Sequence, residues 1–205
     1  PTNSELGVEL ERRRFGQLDR TWSGPEFNRL LGKAMAENRD DFILALYLGR
    51  YAGFRIHECF RMDTAAAEQA LRENALTVKG KGGKVRTVPI EDERILMMLK
   101  RVLAQTERGH KLLVPDGMPT DRSINALELF IYRHRNEISD EGSDRRLTFH
   151  GLRHTYAAEK YTRLTEGGMS AIDAHYAVSR LLGHERADVT NIYLASVRKR
   201  GRDGE

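Results

Sequence analysis

Cysteine is nearly absent from this sequence: Cys59 is the single one in 205 residues. That excludes an internal disulfide and fits a reducing compartment. Its apolar flanks point to a buried thiol with a packing role. Thiolates are thus missing as metal ligands, and acidic side chains do not cluster as a two-metal nuclease would need. Four of the seven histidines, His57, His150, His154 and His184, invite a zinc reading, but their spacing resembles no common zinc cluster. No apolar run is long enough to cross a bilayer, and no charged start followed by an apolar stretch marks a secretory signal. The glycine-rich segment 80–83 lacks the strand–loop–helix context of a nucleotide-binding loop. No membrane partner, metal or cofactor is expected.

What the chain does have is charge and enough apolar residues for one good core. Hydrophobic residues make up 40% and charged ones 31%, which suits a single domain. The net charge of +4 and a pI near 9.3 attract polyanions, but the excess is too small to name nucleic acid unaided. Residues 1–22 are polar, carry Arg12, Arg13 and Arg14, and read as an arm or linker entering from a missing N-terminal domain or, equally, as a solvated basic helix end. The start at Pro1, without methionine, fits a piece of a longer protein. Residues 23–205 form the expected domain, ending in a short basic tail.

Helical periodicity dominates this domain. Ser23 and Glu26 spell a capping box before Phe27, Leu30, Leu31, Ala34 and Met35, an amphipathic face. From Asp41 to Ala52 the chain is apolar on nearly all sides and predicts a central buried helix. Gly53 can end it in the left-handed conformation, which puts Arg55 at the mouth of the next helix. Asp63 and Thr64 cap a short Ala-rich helix. The period then changes: Leu76–Val78 and Val85–Val88 flank a glycine-rich tip and predict a β-hairpin. Further amphipathic helices follow over 91–107, with Leu112–Pro115 extended, and from Thr120, where Ile124, Leu127, Phe130 and Ile131 share a face. The last third gives a helix capped by Thr148 and ending at Gly167, one from Ser170 into Gly183, and a final segment carrying Tyr193. The fold class expected is mainly α with a small antiparallel β-hairpin, an α+β domain.

Chemistry concentrates in that last third. His150, Arg153, His154, His184 and Tyr193 suit work on a phosphate: guanidinium holds phosphate oxygens as a fork, imidazole moves protons near neutral pH, and a deprotonated tyrosine is an oxygen nucleophile. His150 and Arg153, three residues apart, share a helix face. Upstream, Arg55 is costly to bury unless an anion meets it. Glu58, one turn later, is the nearest candidate for a simple ion pair. Arg133, His134, Arg135, Arg145 and Arg146 read equally well as surface charge or DNA-backbone contacts.

Four stretches in order, Gly53-x-Arg55-x-x-Glu58, Lys79-Gly-Lys81-Gly-Gly-Lys84-Val-Arg86-Thr-Val-Pro89, His150-Gly-Leu-Arg153-His154, and Leu182-Gly-His184 followed by Tyr193, make the chain resemble the catalytic domain of tyrosine recombinases, the phage-integrase-like family. The resemblance runs from about Ser23 to Leu194. It implies a site-specific recombinase or integrase that breaks and rejoins DNA through a 3′-phosphotyrosyl intermediate. Tyr193 would be the nucleophile, Arg55 and Arg153 the phosphate clamps, and Lys81 the acid for the leaving 5′ oxygen. His150 would be the base and His184 a phosphate contact, although the division of labour between the two stays open. Glu58 would orient Arg55 or its neighbours from behind. Lys79, Lys84, Arg86 and His154 are assigned to DNA contacts. The partner implied is double-stranded DNA, held by four protomers on two sites, with this stretch alone able to be a monomer. The setting is the cytoplasm, on the nucleoid, in a bacterial or phage system. A type IB topoisomerase uses a similar residue set, and an inert DNA-binding module stays open as the other alternative.

Overall fold

The computed structural model of the chain describes residues 19–80, 83, 85–184, 190, 191, 193, 194 and 197. Helix α1 (Gly24–Ala36) begins at its expected capping box: Ser23 Oγ accepts from the Glu26 N–H at 3.2 Å, and Glu26 Oε2 accepts from the Ser23 N–H at 2.8 Å. Phe27, Leu30, Leu31 and Ala34 are buried, whereas Met35 stands 54% exposed, because the helix packs through a stripe narrower than its periodicity suggests. Helix α2 (Asp40–Ala52) is buried without a break from Phe42 to Arg50. Each fully buried Leu or Phe contributes about 1.5–3 kcal/mol relative to exposure, so α2 is the axis of the core.

Gly53 closes α2 at φ 65°, with its N–H donating to the end of the helix at Leu48. A side chain there would be doubly excluded, since a Cβ would lie 2.4 Å from the Tyr156 ring. Arg55 then caps the short α3 (Ile56–Cys59), and Asp63 Oδ1 caps α4 (Thr64–Glu73) by accepting from the Ala66 N–H at 2.8 Å. Strands β1 (Ala75–Lys79) and β2 (Val85–Pro89) pair antiparallel, with Leu76 opposite Val88 and Val78 opposite Arg86. Helix α5 (Glu93–Leu103) follows. The stretch expected to be extended at Leu112–Pro115 is a series of turns instead. Only Lys111 pairs, in an isolated bridge with Asp63, while Leu112 and Leu113 are drawn into the core.

Helices α6 (Thr120–Ile138), α7 (Phe149–Glu166) and α8 (Ala171–Leu182) complete the described elements. Helix α2 lies against α1, α5 and α7, and α8 packs on α7. One core runs from Trp22 to Leu152; a second, smaller one joins Tyr156, Ala157, Val178, Leu182 and Tyr193. The result is mainly α with a two-stranded antiparallel sheet.

Residues 19–22, read as the end of an arm, pack on this body. Trp22 is 3% exposed, its backbone N–H donates to Thr155 Oγ1 at 2.8 Å and its Nε1–H to the Thr148 carbonyl at 3.0 Å. Arg145, which read equally as surface charge or DNA contact, belongs to the same junction: it donates to the Thr21 carbonyl at 3.0 Å and to the buried Glu26 carboxylate at 2.9 Å.

Candidate active site

Two elements with different reasons for existing bring the charged groups together. At the α2–α3 corner, Glu58 is fully enclosed and its carboxylate meets two guanidinium groups. Arg55 donates its backbone N–H to Oε2 at 2.7 Å and Nη1 to Oε1 at 3.0 Å. Arg86, reaching in from β2, donates Nη1 to Oε1 at 2.8 Å and Nη2 to Oε2 at 2.7 Å, a two-pronged pair. Burial pushes the Glu58 carboxyl up, but the Arg86 bonds and charge, the Arg55 backbone bond and the Arg153 charge outweigh it and hold the group at about 2.

Helix α7 supplies the other half. Thr148 Oγ1 caps it by accepting from the Gly151 N–H at 3.3 Å. Gly151 must lack a side chain, because a Cβ there would stand 2.5 Å from the Arg20 carbonyl oxygen and 2.7 Å from Trp22 Nε1. With residues 20–22 pressed on one side and α2 and α8 on the others, Gly151 through Ala158 are all buried.

Arg153 has no exposed surface. Its Nη1 donates to the Gly53 carbonyl, and its Nη2 donates to the Leu182 carbonyl at 2.5 Å and to His184 Nε2 at 3.2 Å. An arginine has no acceptor, so His184 Nε2 must be the acceptor and Nδ1 must carry the hydrogen. Nδ1 in turn faces Thr190 Oγ1 at 2.9 Å. His184 is therefore the neutral Nδ1–H tautomer in this arrangement.

Tyr193 lies in the middle. Its ring centroid is 4.4 Å from that of His154, 5.0 Å from His184 and 5.5 Å from His150, and the Arg153 guanidinium carbon is 5.6 Å away. Burial, then the Arg153 and Arg55 charges, lowers His184 to about 3. Burial, then His150, Arg20 and Arg153, lowers His154 to about 3. His150 has an exposed edge at the rim, yet packing and the Arg153, Arg20 and Arg55 charges draw it down to about 4. Desolvation and Arg55 lower even Arg153, to about 10. Burial first, and the surrounding arginine charge second, hold all three imidazoles neutral at pH 7.

The sequence matches the phage integrase family over residues 26–200. This chain belongs to that family. It is 27% identical over 170 residues to tyrosine recombinase XerD of Pseudomonas putida, covering 80% of this chain and 51% of that protein. Against tyrosine recombinase XerC of Caldanaerobacter subterraneus it is 26% identical over 160 residues, covering 77% and 41%. The chain thus spans about half the length of these relatives. Its fold resembles the crystal structure of XerA recombinase, with a TM-score of 0.63 at 20% identity, covering 90% of this chain and 65% of that one. XerH bound to its palindromic difH substrate gives 0.63 at 18% identity, covering 91% and 52%. The Tn1549 transposon integrase with transposon right end DNA gives 0.60 at 15% identity, covering 100% and 70%.

Within this phage integrase fold, Arg153, His150, His184 and Tyr193 come together, with Arg55 and Glu58 joined at the adjoining corner. Lys81 and Lys84 lie outside the described residues; Lys79, at the end of β1, is exposed. Two residues assigned to DNA contacts are turned inward. The Arg86 side chain is 8% exposed and occupied by Glu58, and His154 is 2% exposed beneath Tyr193. Thr190, buried against His184, was missed: a threonine six residues from a histidine carries no local signal. Arg20 was missed because it fell in the presumed arm. Among the described residues, the metal-ligating side chains within 4.8 Å of one another are Glu107, His110 and Asp116, beyond α5, and not the four histidines.

Proposed function

We propose that this chain is the catalytic domain of a site-specific DNA recombinase or integrase that cuts and rejoins strands through a 3′-phosphotyrosyl intermediate. The observation that carries the reading is one tyrosine ring packed among three neutral histidines and a buried arginine, with Arg55 adding its charge to the same site.

Tyr193 Oη attacks the phosphorus of a DNA strand in line, and the bond from phosphorus to the 5′ oxygen breaks. The tyrosine proton passes to His150, whose neutral form is the one able to accept it. Lys81 returns a proton to the departing 5′ oxygen. Rejoining reverses these transfers with the 5′ hydroxyl of a partner strand as nucleophile. The ester keeps the energy of the broken phosphodiester, so the steps as written draw on no nucleotide cofactor.

Arg153 and Arg55 neutralise charge growing on the nonbridging oxygens, and losing one such donor typically costs on the order of 10²–10³ in rate. A phosphate oxygen can take the place of His184 as acceptor for the Arg153 N–H. Burial, then the Arg153 and Arg55 charges, keeps His184 neutral; the anion offsets those charges and accepts a hydrogen bond, so His184 gains a proton and becomes a donor to it.

Duplex DNA as partner is supported by the DNA in the XerH and Tn1549 integrase structures. We further propose that residues 1–22 lead in from a DNA-binding region, with residues 23–205 as the catalytic domain. Four protomers act on two DNA sites, on the nucleoid in the cytoplasm of a bacterial host, and this stretch alone is a monomer.

The test is to mix the protein with nicked duplexes of varied sequence, quench in detergent and compare wild type with Tyr193→Phe. A retarded covalent band from wild type alone is expected. Joined fragments from two parent duplexes would then separate recombination from the simple relaxation of a topoisomerase. Binding of DNA with no adduct on any duplex would sink the enzyme reading in favour of an inert binding module.

A further inference from the structure

Arg86 sits on the strand that leaves the basic hairpin tip, where a guanidinium would be expected to reach for DNA. It does the opposite. Its fork is turned inward with both Nη groups on Glu58, its guanidinium carbon lies 5.7 Å from the Phe54 ring centroid, and its Nε is buried without a partner among the described residues. Its stem closes on the turn before His184: a Cβ at Gly183, whose φ is 65°, would lie 3.0 Å from Arg86 Cδ.

The arrangement has a consequence for Arg55. The Glu58 carboxylate is fully enclosed and receives four hydrogen bonds, two from each arginine. Because Arg86 takes one prong at each oxygen, Arg55 gives Glu58 its backbone N–H and Nη1 alone, which leaves the rest of its fork free of that pair. Arg55 stays 28% exposed while Arg86 is closed in. Remove Arg86, and the enclosed carboxylate is left with Arg55 as the cation hydrogen-bonded to it and draws that guanidinium fully onto itself.

We propose that Arg86 is a positioning residue for strand cleavage: it holds the Glu58 carboxylate and the Gly183 turn, and through them sets Arg55 and His184 against the scissile phosphate, instead of contacting DNA. The proposal rests on the reading of this site as one that cleaves phosphodiesters.

The experiment compares wild type, Arg86→Lys, Arg86→Gln, Glu58→Gln and the Arg86→Gln/Glu58→Gln pair in the full chain. It measures DNA affinity across a salt series, and adduct formation in a single turnover on saturating nicked duplex. Arg86→Gln is expected to keep wild-type affinity and salt slope while its adduct forms about 10²-fold more slowly, the scale of a misplacement of about 1 Å. Arg86→Lys, which keeps the charge without the fork, is expected to recover part of that rate. The double variant should be no slower than the slower single one, since both changes break the same support. Should Arg86→Gln fail to fold, Arg86→Lys carries the test by the same split, slower adduct formation at unchanged affinity.

Weaker binding with a salt slope reduced by about one, at an unchanged saturated rate, would identify a phosphate contact and overturn the proposal. So would losses that add in the double variant. Wild type forming no adduct overturns the cleavage reading and this proposal with it, whereas a wild-type adduct matched by Arg86→Gln at saturation overturns this proposal alone.

Discussion

His154 illustrates how much one side chain can shift the balance of the whole molecule. It is 2% exposed, its ring lies 5.0 Å from that of His150, and its Nε2 has no partner among the described residues. Burial, His150, Arg20 and Arg153 lower it to about 3, against 6.5 for an ordinary histidine. As pH falls through 6.5 the unfolded chain takes up a proton that the folded chain refuses. The stability that His154 contributes is therefore complete above pH 6.5 and is lost progressively toward pH 3. Each pH unit in that window is worth about 1.4 kcal/mol, so acidification from 6.5 to 5 removes ~2 kcal/mol through this residue. At about 2–4 °C per kcal/mol for a chain of this size, His154 should account for ~4–8 °C of the fall in Tm, beside the shares of His150 and His184, and calorimetry of His154→Asn should show the dependence reduced by that share. A variant with the wild-type slope would show that the ring titrates normally in the folded protein. Its burial was not legible in the sequence, for a physical reason. A three-residue spacing marks the face shared by His150 and Arg153, but it cannot announce that residues 151–158 of α7 are covered on every side. Arg86 failed to announce itself for a related reason, its partner Glu58 being 28 residues away and visible only once β2 is placed beside α3. By contrast, the Arg55–Glu58 pair is a one-turn contact and was legible at once.

At the scale of elements, the caps were the most legible part of the chain. Ser23 with Glu26, Asp63, Thr148 and Ser170 all act as their spacing indicates, because a cap is a bargain struck within four residues. Where an element's shape depends on a distant neighbour, local pattern misled, as at Leu112–Pro115, which the core bends into turns. Gly151 puts the two levels in opposition. Inside a helix, Ala is favoured over Gly by about 1 kcal/mol, so local propensity says that Gly151→Ala should stabilise α7. The structure gives the opposite sign, because the new Cβ would press on the Arg20 carbonyl and on Trp22. A backbone carbonyl cannot swing aside as a flexible side chain can. We expect Gly151→Ala to destabilise by ~1–3 kcal/mol, the usual cost of overpacking. It should also lift residues 20–22 from α7. Trp22 is the sole tryptophan, so its emission reports the change without ambiguity: a red shift with a lower Tm is expected. A raised Tm with unshifted emission would mean that residues 20–22 do not clamp the helix.

At the scale of the whole molecule, the two cores divide the labour. The larger one, threaded by α2, sets the corner where Arg55 and Glu58 meet; the smaller one, on α7 and α8, holds Tyr193. Among the described residues the second cluster has five buried members and so has less apolar contact to lose on opening than the main core, so the element bearing the tyrosine should open at lower free energy than α2. Leu182 links this cluster to the charged site, since its side chain is fully buried while its carbonyl accepts from Arg153 Nη2. Leu182→Ala should create a cavity worth ~2–5 kcal/mol, felt first within the smaller core. Amide hydrogen exchange should then show the α8 protection falling by that order while the α2 amides keep wild-type protection at mild denaturant. Leu44→Ala, in the larger core, should lower protection in both regions, because α7 rests on α2. Equal losses in α2 and α8 from Leu182→Ala would mean that the molecule opens as one unit. The separate response would suit the proposed role, in which Tyr193 reaches a phosphate held at the Arg55 corner.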